Sequence, residues 1–382
     1  MRMLVLGAGL QGSACAYDLL QNSAVSQVRL ADLHFDHLPA FLKPLSGPRL
    51  LPTPLDVRDR EAVLAVMRES DAVMSAIPYY FNLQLAECAV EAGVHFCDLG
   101  GNTEIVFQQK ALADRAKAKG ITIVPDCGVA PGMVNILAEH GIRQLDSVDS
   151  VRIYVGGLPQ HPEPPLNYQI VYSLEGVLDY YTTLSWVVRN KKREQVVALS
   201  EREPVTFPAP VGELEAFHTA GGLSSMAWRY EGKIPTMEYK TLRYPGHAQM
   251  MEAIRALGLL DLEQVDVKGI KVIPRDVFVS VVGPKLTKPK GKDILALRVT
   301  VTGTKGGRKA SRQFDLIDRY DEQHGISAMM RTTGYSLSIT GQMQVRGEVT
   351  PPGVWTPDEC MPAEAYIAEL RKRGMDVKET AS

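Results

Sequence analysis

The sequence predicts an α/β protein: an N-terminal doubly wound parallel sheet of the Rossmann type, followed by a second α+β domain on a largely antiparallel sheet. Two observations lead to this prediction. Short apolar runs alternate with amphipathic helical patterns through the first 130 residues, which is typical of parallel strands joined by right-handed crossovers. Beyond that point, Pro-rich loops and hairpin patterns replace the alternation.

The first half contains six apolar runs of strand length, and segments of helical spacing lie between them. Most of the runs end in a polar or turn-forming residue, as strands that meet a loop do. We predict strands at 3–6, 28–31, 50–55, 71–77, 94–97 and 121–124, and helices at 13–20, 60–68, 83–91 and 105–119.

The second half predicts a strand at 151–155, a helix at 178–188 and short strands and turns over 205–243. Its clearest hairpin pairs 294–302 with 308–317 through a Gly-Thr-Lys-Gly-Gly connection. A helix-like segment, 325–345, should cross back over the first sheet. We therefore expect a dinucleotide-binding domain over 1–130 that 325–350 completes, a substrate and oligomerisation domain over 131–324, and a segment over 351–382 that packs on the first domain and ends in a solvated polar tail.

Composition excludes several classes of function. The chain has 42 basic and 44 acidic residues, which gives no electrostatic case for a nucleic-acid or membrane partner. No apolar run reaches the ~18 residues that span a bilayer. The five cysteines, at 15, 88, 97, 127 and 360, form no CxxC pair and no Cys/His cluster, so they predict neither a metal site nor disulfides. We expect a cytoplasmic protein and a homo-oligomer, a dimer or a tetramer.

A dinucleotide fingerprint follows the first predicted strand. Gly7 permits a tight turn, Gly9 lets the backbone approach a pyrophosphate, and Gly12 lets the helix pack closely on the strand. Asp32 ends the second strand about 20 residues on, where a carboxylate accepts a hydrogen bond from a ribose 2′-hydroxyl and repels a 2′-phosphate. The alternative is a Gly-rich turn without a ligand, but the position of Asp32 favours a cofactor, and favours NAD over NADP.

The ends of the later strands should form the rest of the cofactor groove, because open parallel sheets bind ligands beyond the carboxyl ends of their strands. Asp and Gly also occur at strand ends for local turn reasons, so no single end is decisive. Several ends at one edge favour a binding site. The predicted cofactor-binding residues are Gly7, Gly9, Leu10, Gln11, Gly12, Asp32, Asp56, Ala76, Ile77, Pro78, Asp98, Leu99 and Cys127.

Seven stretches together resemble the saccharopine dehydrogenase-like family, in the same order over essentially the whole chain. The stretches are VLGAGLQG, DLGGN, PDCGVAPGMVNILA, YVGGLPQHPEPPLNYQIVYSLEGVLDYYT, LEAFHTAGG, MEYKTLRYPGH and GVWTPDE. The resemblance implies amine or imine redox chemistry: NAD-linked oxidation of the ε-amine of lysine, release of ammonia, and formation of 2-aminoadipate 6-semialdehyde, which cyclises to piperideine-6-carboxylate. Saccharopine- or carboxynorspermidine-type imine oxidoreductases and a non-catalytic NAD-binding sensor remain alternatives.

Such chemistry needs a base, because hydride leaves carbon readily only when the amine is neutral and the ordinary pKa of lysine is about 10.4. Asp126 ends the sixth strand, and the resemblance implies that the acid of its D-x-G-x-x-P-G turn contacts the substrate. The alternative for Asp126 is a helix cap. We also assign Gly100 and Gly101 to the substrate site. Cys127 is expected to fill space rather than act as a nucleophile.

The resemblance also implies substrate-side residues in the second half. His218 could relay a proton, Thr219 could orient a water molecule, and Arg243 could clamp a carboxylate with its planar fork. Glu175 could pair with an amine. A structural role for His218 and a solvated position for Glu175 remain the alternatives.

Overall fold

The computed structural model describes residues 1–35, 38–288 and 291–382. Its strands, β1 to β18 in chain order, are Arg2–Leu6, Gln27–Asp32, Leu50–Pro54, Ala72–Ser75, His95–Asp98, Thr122–Val124, Ser147–Pro159, Ser185–Arg189, Lys192–Val196, Glu203–Thr206, Glu213–His218, Thr236–Arg243, Val265–Val267, Ile270–Val272, Asp293–Lys305, Arg308–Arg319, Gly353–Val354 and Lys378–Ala381. Its α-helices, α1 to α14, are Leu10–Gln21, Arg60–Arg68, Asn82–Ala92, Thr103–Lys110, Ala113–Ala118, Met133–Arg143, Leu174–Thr182, Met226–Tyr230, His247–Ala256, Pro274–Leu286, Ala328–Met330, Ser336–Val345, Pro357–Cys360 and Ala363–Lys372.

The first sheet is parallel throughout, with the strand order β17-β6-β5-β4-β1-β2-β3. Side chains alternate along each strand, so Met3 and Val5 face a core shared with α1 and α12, while Leu4 and Leu6 face a core shared with α2 and α3. Helices therefore cover both faces. This confirms the predicted doubly wound sheet.

The second sheet has the strand order β10-β11-β12-β7-β15-β16-β18, with β8 and β9 attached beside β12. Its pairs are antiparallel except β12 with β7. The predicted hairpin is present as β15 and β16, and each arm is longer than the sequence indicates. The second half is thus a mixed, mostly antiparallel domain, as predicted.

Three predicted elements differ from the structure. The helix expected at 178–188 is α7, Leu174–Thr182, after which Ser185–Arg189 forms strand β8, because its Trp-Val-Val run is a strand-forming sequence. The helix expected at 105–119 is two shorter helices, α4 and α5. The C-terminal tail is exposed, but it is not simply solvated, since β18 pairs with β16 as an edge strand.

The segment after the second sheet returns to the first. Helix α11, a π-helical turn at Arg331–Tyr335 and helix α12 run without a break and pack against α1, β4 and β5. A Cβ at Gly334 would lie 2.6 Å from the carbonyl oxygen of Gln11, so the approach to α1 requires glycine. Strand β17 then extends the parallel sheet beside β6. In the described parts of the chain, the helices are all too short or too polar to cross a bilayer.

Candidate active site

A cavity of about 540 Å³ lies where the carboxyl edge of the first sheet faces the second sheet. Loops after β1, β4, β5 and β6 line one wall, and α7, β7, β12 and the loop after β11 line the other. Met329 and Thr333 of the returning segment close one side. Of the predicted site residues, the cavity is lined by Gly9, Leu10, Gln11, Ala76, Ile77, Pro78, Leu99, Gly100, Glu175, Thr219 and Arg243.

The glycine loop after β1 is shaped by two close approaches and one open position. A Cβ at Gly7, where φ is +99°, would lie 2.7 Å from the carbonyl oxygen of Ala76, and a Cβ at Gly12 would lie 1.8 Å from that of Gly7. Gly9 differs, since nothing lies within 4 Å of its Cβ position and its backbone borders the cavity. Gly7 and Gly12 therefore permit the fold, and Gly9 leaves the backbone open to a ligand.

The same loop fits a dinucleotide. Helix α1 begins at Leu10, so its first turn, whose N–H groups have no acceptor within the helix, borders the cavity, an arrangement that binds phosphate. Both side-chain amide atoms of Gln11 are buried, and neither has a hydrogen-bond partner among the described residues. Since buried polar atoms are nearly always paired, Gln11 is suited to a polar ligand here.

Two predicted acids at this edge have different partners. The Oδ2 atom of Asp32 accepts from the N–H of Ala8 at 2.6 Å, which ties the end of β2 to the glycine loop. Asp56, like Asp32, is not part of the cavity lining. It accepts from the Arg58 guanidinium at 2.7 Å in the exposed loop after β3, and these hydrogen bonds lower its pKa to about 2. A local ion pair explains Asp56 better than cofactor binding does.

Asp98 and Asp126 form a buried acidic pair behind the cavity wall. Asp98 accepts from Gly100 N–H at 2.7 Å and from Gln109 Nε2 at 2.7 Å, so it braces the loop after β5 rather than lining the cavity. Asp126, in the left-handed conformation with φ +63°, accepts from the Ser224 hydroxyl. Burial raises the pKa of Asp98 to about 6 and that of Asp126 to about 7.

Asp126 lies directly behind the DLGG turn. A Cβ at Gly100 would lie 1.6 Å from Asp126 Oδ1, and Gly101 N–H donates to that oxygen at 3.3 Å. Only 1% of Asp126 is exposed. Its carboxyl group is therefore separated from the cavity by one thickness of backbone, which only glycine makes thin enough.

Cys127 faces away from the cavity. Its thiol is buried and donates to the carbonyl oxygen of Val124 at 3.1 Å. Burial raises the pKa of this thiol well above its usual range, so it stays protonated and is a poor nucleophile. The structure places Cys127 outside the cofactor groove for which it was predicted, in the space-filling role that was the alternative to catalysis.

Arg243, on β12, is a buried cation at the cavity with 4% exposure. Its Nε donates to Tyr181 Oη at 3.1 Å, its Nη1 donates to Leu242 O at 2.8 Å, and its guanidinium lies 4.9 Å from the centre of the Tyr168 ring. Within the described residues it has no carboxylate partner. A buried cation of this kind is costly unless an anion compensates it, so the site is suited to a ligand carboxylate.

The other predicted substrate-side residues surround Arg243. Thr219 lines the cavity, and its hydroxyl forms a hydrogen bond of 2.7 Å with the hydroxyl of Thr241. Glu175 lies exposed in the first turn of α7 at the mouth. One turn later, Asp179 also lines the cavity but is paired with Arg275 at 2.6 Å.

His218 points to the opposite face of its strand. Side chains alternate along β11, so the neighbour of Thr219 faces away from the cavity, where its Nε2 lies 3.3 Å from Glu201 Oε2. Glu238 completes a cluster of possible metal-ligand atoms, but Arg189 already binds the carboxylate of Glu201, and Lys240 Nζ donates to the backbone carbonyl oxygen of Glu201 at 2.9 Å. The structure therefore does not bring His218 to the site, and we withdraw its catalytic assignment in favour of a structural ion-pair network.

Several tyrosines that the sequence did not single out line the cavity: Tyr79, Tyr80, Tyr172, Tyr180 and Tyr239. The only feature of the sequence that could have indicated these rings is a pair of glycines that lie against two of them. A Cβ at Gly221 would lie 3.2 Å from the Tyr180 ring, and a Cβ at Gly222 would lie 2.3 Å from the Tyr239 ring. The two glycines of LEAFHTAGG thus make room for aromatic rings.

Comparisons with known proteins agree with this architecture. Residues 3–124 match the family model "Saccharopine dehydrogenase NADP binding domain", and residues 128–375 match "Saccharopine dehydrogenase C-terminal domain". Saccharopine dehydrogenase (NADP(+), L-glutamate-forming) of Saccharomyces cerevisiae is 24% identical, with 99% of this chain and 98% of that protein covered.

A second relative is similar over a shorter stretch. Alpha-aminoadipic semialdehyde synthase of Arabidopsis thaliana is 26% identical, with 55% of this chain and 20% of that protein covered. Among solved structures, apo histidine-tagged saccharopine dehydrogenase (L-Glu forming) from Saccharomyces cerevisiae superimposes with a TM-score of 0.81 at 20% identity, covering 100% of this chain and 99% of that one. This likeness shows a shared fold.

Proposed function

Because the chain belongs to the saccharopine dehydrogenase family, whose models match both of its halves, we propose that it is an NAD-dependent L-lysine 6-dehydrogenase. In this reaction the ε-amine of L-lysine is oxidised to an iminium. Water adds to the iminium, ammonia leaves, and 2-aminoadipate 6-semialdehyde forms and cyclises to piperideine-6-carboxylate. Lysine, NAD⁺ and water thus yield the semialdehyde, NADH, ammonium and a proton.

The observation that supports this substrate is the charge of the cavity. Of the described residues that line it, Arg243 alone is a cation, whereas Glu175 and Asp179 are acidic and Asp126 lies just behind the wall. Lysine has one carboxylate and two amines, which matches one cation and the two acids Glu175 and Asp126, since Asp179 is already paired with Arg275. Saccharopine has three carboxylates, and two of them would lack a cationic partner in this cavity.

The residues of the chain divide the work as follows. The glycine loop and Gln11 would hold the dinucleotide, which supplies the acceptor for the hydride. Arg243 holds the substrate carboxylate, and Glu175 accepts from the α-ammonium group at the mouth. Asp126 is the acceptor for the proton of the ε-ammonium, and the hydroxyl pair of Thr219 and Thr241 orients the water that adds to the iminium.

The preference for NAD rests on Asp32. A carboxylate at the end of β2 suits the 2′-hydroxyl of NAD and repels a 2′-phosphate, and the next two residues, Leu33 and His34, supply no guanidinium. The family model and the yeast relative have NADP in their names. We infer that this chain differs from that relative in its cofactor.

A saccharopine-type reductase is the second candidate, since the yeast relative of that name aligns with 99% of this chain. One pair of assays separates the two. In the first, the protein is mixed with L-lysine and NAD, and NADH and ammonia are measured together; we expect both in equal amounts. In the second, it is mixed with 2-aminoadipate 6-semialdehyde, L-glutamate and NADPH.

Lysine analogues sharpen the first assay. Cadaverine lacks the carboxylate that Arg243 would hold, so it should be a much poorer substrate than lysine. Norleucine lacks the ε-amine and should give no NADH. NADPH consumption with saccharopine as the product, and no turnover of lysine, would replace the proposal by the second candidate.

A further inference from the structure

We propose that Tyr180 is a catalytic residue that passes the proton of the substrate's ε-ammonium group to Asp126. This inference rests on the proposed function and deepens it, because Asp126 does not itself line the cavity. A buried base that the substrate cannot touch needs an intermediate group. That group must reach both the cavity and the carboxylate.

Tyr180 occupies the position that such a group requires. It projects from α7 into the cavity, with its hydroxyl against Gly101 in the loop after β5 and its ring against Gly221 in the loop after β11. A Cβ at Gly101 would lie 3.2 Å from the Tyr180 hydroxyl oxygen, and a Cβ at Gly221 would lie 3.2 Å from the ring. Tyr180 therefore closes the gap between the loop after β5 and the loop after β11.

Asp126 lies against the same turn as the Tyr180 hydroxyl. Gly101, whose Cβ position lies 3.2 Å from that hydroxyl, donates its N–H to Asp126 Oδ1 at 3.3 Å. Among the described residues the Tyr180 hydroxyl forms no hydrogen bond, so both its proton and its lone pairs are available. Catalytic hydrogen bonds often tighten only when substrate is bound, and the all-glycine backbone between the two groups allows that approach.

The other tyrosines near Arg243 are less suited to this role. The Tyr181 hydroxyl is shared between Arg243 Nε at 3.1 Å and His247 Nε2 at 3.0 Å. The Tyr239 hydroxyl lies 3.5 Å from Thr241 Oγ1, on the side of the substrate carboxylate. Tyr79 also lies against this turn, but with a ring carbon, Cδ1, 3.8 Å from the Cβ position of Gly101, whereas Tyr180 places its hydroxyl oxygen 3.2 Å from that position.

The proton balance of the relay is simple. The ε-ammonium gives a proton to the Tyr180 oxygen while the Tyr180 O–H gives its proton to Asp126, so the amine, the phenol and the carboxyl group all end neutral. Burial raises the pKa of Asp126 to about 7, and the nearby charge of Asp98 adds to this. The relay therefore works once the pH is high enough to ionise Asp126. The titratable and charged groups that face Asp126 or Tyr180 are Asp98, Asp358 with its partner Arg229, Asp179, Tyr79 and Tyr239.

The test is Tyr180→Phe, which keeps the ring between the two glycines and removes only the hydroxyl. At neutral pH, kcat/KM for lysine should fall on the order of 100-fold, while the affinity for NADH, measured by fluorescence titration, should stay unchanged. The wild-type rate should rise with pH through about 7. The variant should depend instead on free amine in solution, so its loss should shrink toward pH ~10. Asp126→Asn, which suits a left-handed backbone, should show the same displaced profile.

Tyr154→Phe is the matched control, because Tyr154 lies outside the cavity and its hydroxyl donates to Glu203 Oε1 at 3.1 Å. It should keep the wild-type pH profile. If Tyr180→Phe keeps the wild-type rate, or loses activity equally at every pH, the relay is overturned while lysine oxidation stands. A wild-type protein that does not oxidise lysine overturns the proposed function, and the relay with it.

Discussion

The two walls of the cavity are built by different means. The cofactor wall consists mainly of backbone and small side chains from the loops after β1, β4, β5 and β6, with Tyr79 and Tyr80 after β4, and Gly7, Gly12 and Gly100 permit contacts that no Cβ could make. The substrate wall consists of tyrosine rings and a buried arginine on α7 and β12. The first wall is a local property of short motifs, whereas the second is assembled from residues far apart in the chain.

This difference explains which function each wall can have. A backbone wall presents N–H groups at fixed positions, which suits an invariant pyrophosphate. A side-chain wall can match the charge and shape of one substrate, since each ring or charge can change without disturbing the fold. We therefore expect the cofactor wall to tolerate less substitution than the substrate wall.

The sharpest test of how the cofactor wall is built compares substitutions at two glycines of one loop. Gly12→Val should lower the free energy of unfolding by about 4 kcal/mol or more, because a side chain there collides with the carbonyl oxygen of Gly7. Gly9→Ala should change it by about 1 kcal/mol at most, since its Cβ meets nothing within 4 Å, yet it should weaken NADH binding. Urea unfolding and fluorescence titration measure the two effects.

The control is the contrast itself. If Gly9→Ala lowers the free energy of unfolding as much as Gly12→Val does, then the backbone conformation of the whole loop requires glycine, and the two close approaches at Gly7 and Gly12 are not the reason. If neither variant alters NADH binding, the dinucleotide does not contact this wall, and the cofactor assignment of the loop fails.

The sequence predicts the cofactor wall well, for a physical reason. Parallel strands buried on both faces read as continuous apolar runs, so five of the six predicted strands overlap the observed strands closely and the sixth, 71–77, contains the shorter β4. Strand ends then indicate which loops meet at one edge. That logic also brings Asp126 close to the DLGG turn, although it cannot show that a layer of glycine backbone separates the acid from the cavity.

The sequence predicts the substrate wall poorly, because both faces of β11 are buried just before that strand reaches the cavity. Ala216 and Phe217 are each 0% exposed, so no alternation of polar and apolar residues indicates that Thr219 faces the cavity and His218 faces away. Tyr180 has no local signal of its own. Its room is made by Gly101 and Gly221, which lie far from it in sequence.

After the glycine variants, the next largest effect is expected at Arg243 in the substrate wall. Arg243→Lys keeps the charge and loses the planar fork, so KM for lysine should rise about 10- to 100-fold, in line with the 1.5–3 kcal/mol of a charged hydrogen bond. Arg298→Lys is the matched control. Arg298 also stacks on a ring, 4.5 Å from the centre of Phe207, and pairs with Asp315, but it lies outside the cavity. Steady-state kinetics with lysine compares them, and an unchanged KM for Arg243→Lys would mean that another group holds the carboxylate.

The smallest expected effect concerns the single acid that sets the cofactor. Asp32→Asn keeps an oxygen to accept from Ala8 N–H, an interaction now 2.6 Å long, and removes the charge that repels a 2′-phosphate. The ratio of kcat/KM for NAD to that for NADP should therefore fall about tenfold, a change of about 1.4 kcal/mol, with little loss of stability. Asp56→Asn removes an equal charge from the same edge, but from an ion pair with Arg58, and should leave the ratio unchanged. Equal effects from both variants would mean that the general field of the edge, rather than a contact at Asp32, discriminates between the cofactors, and the cofactor wall would then resemble the substrate wall in depending on side-chain charge.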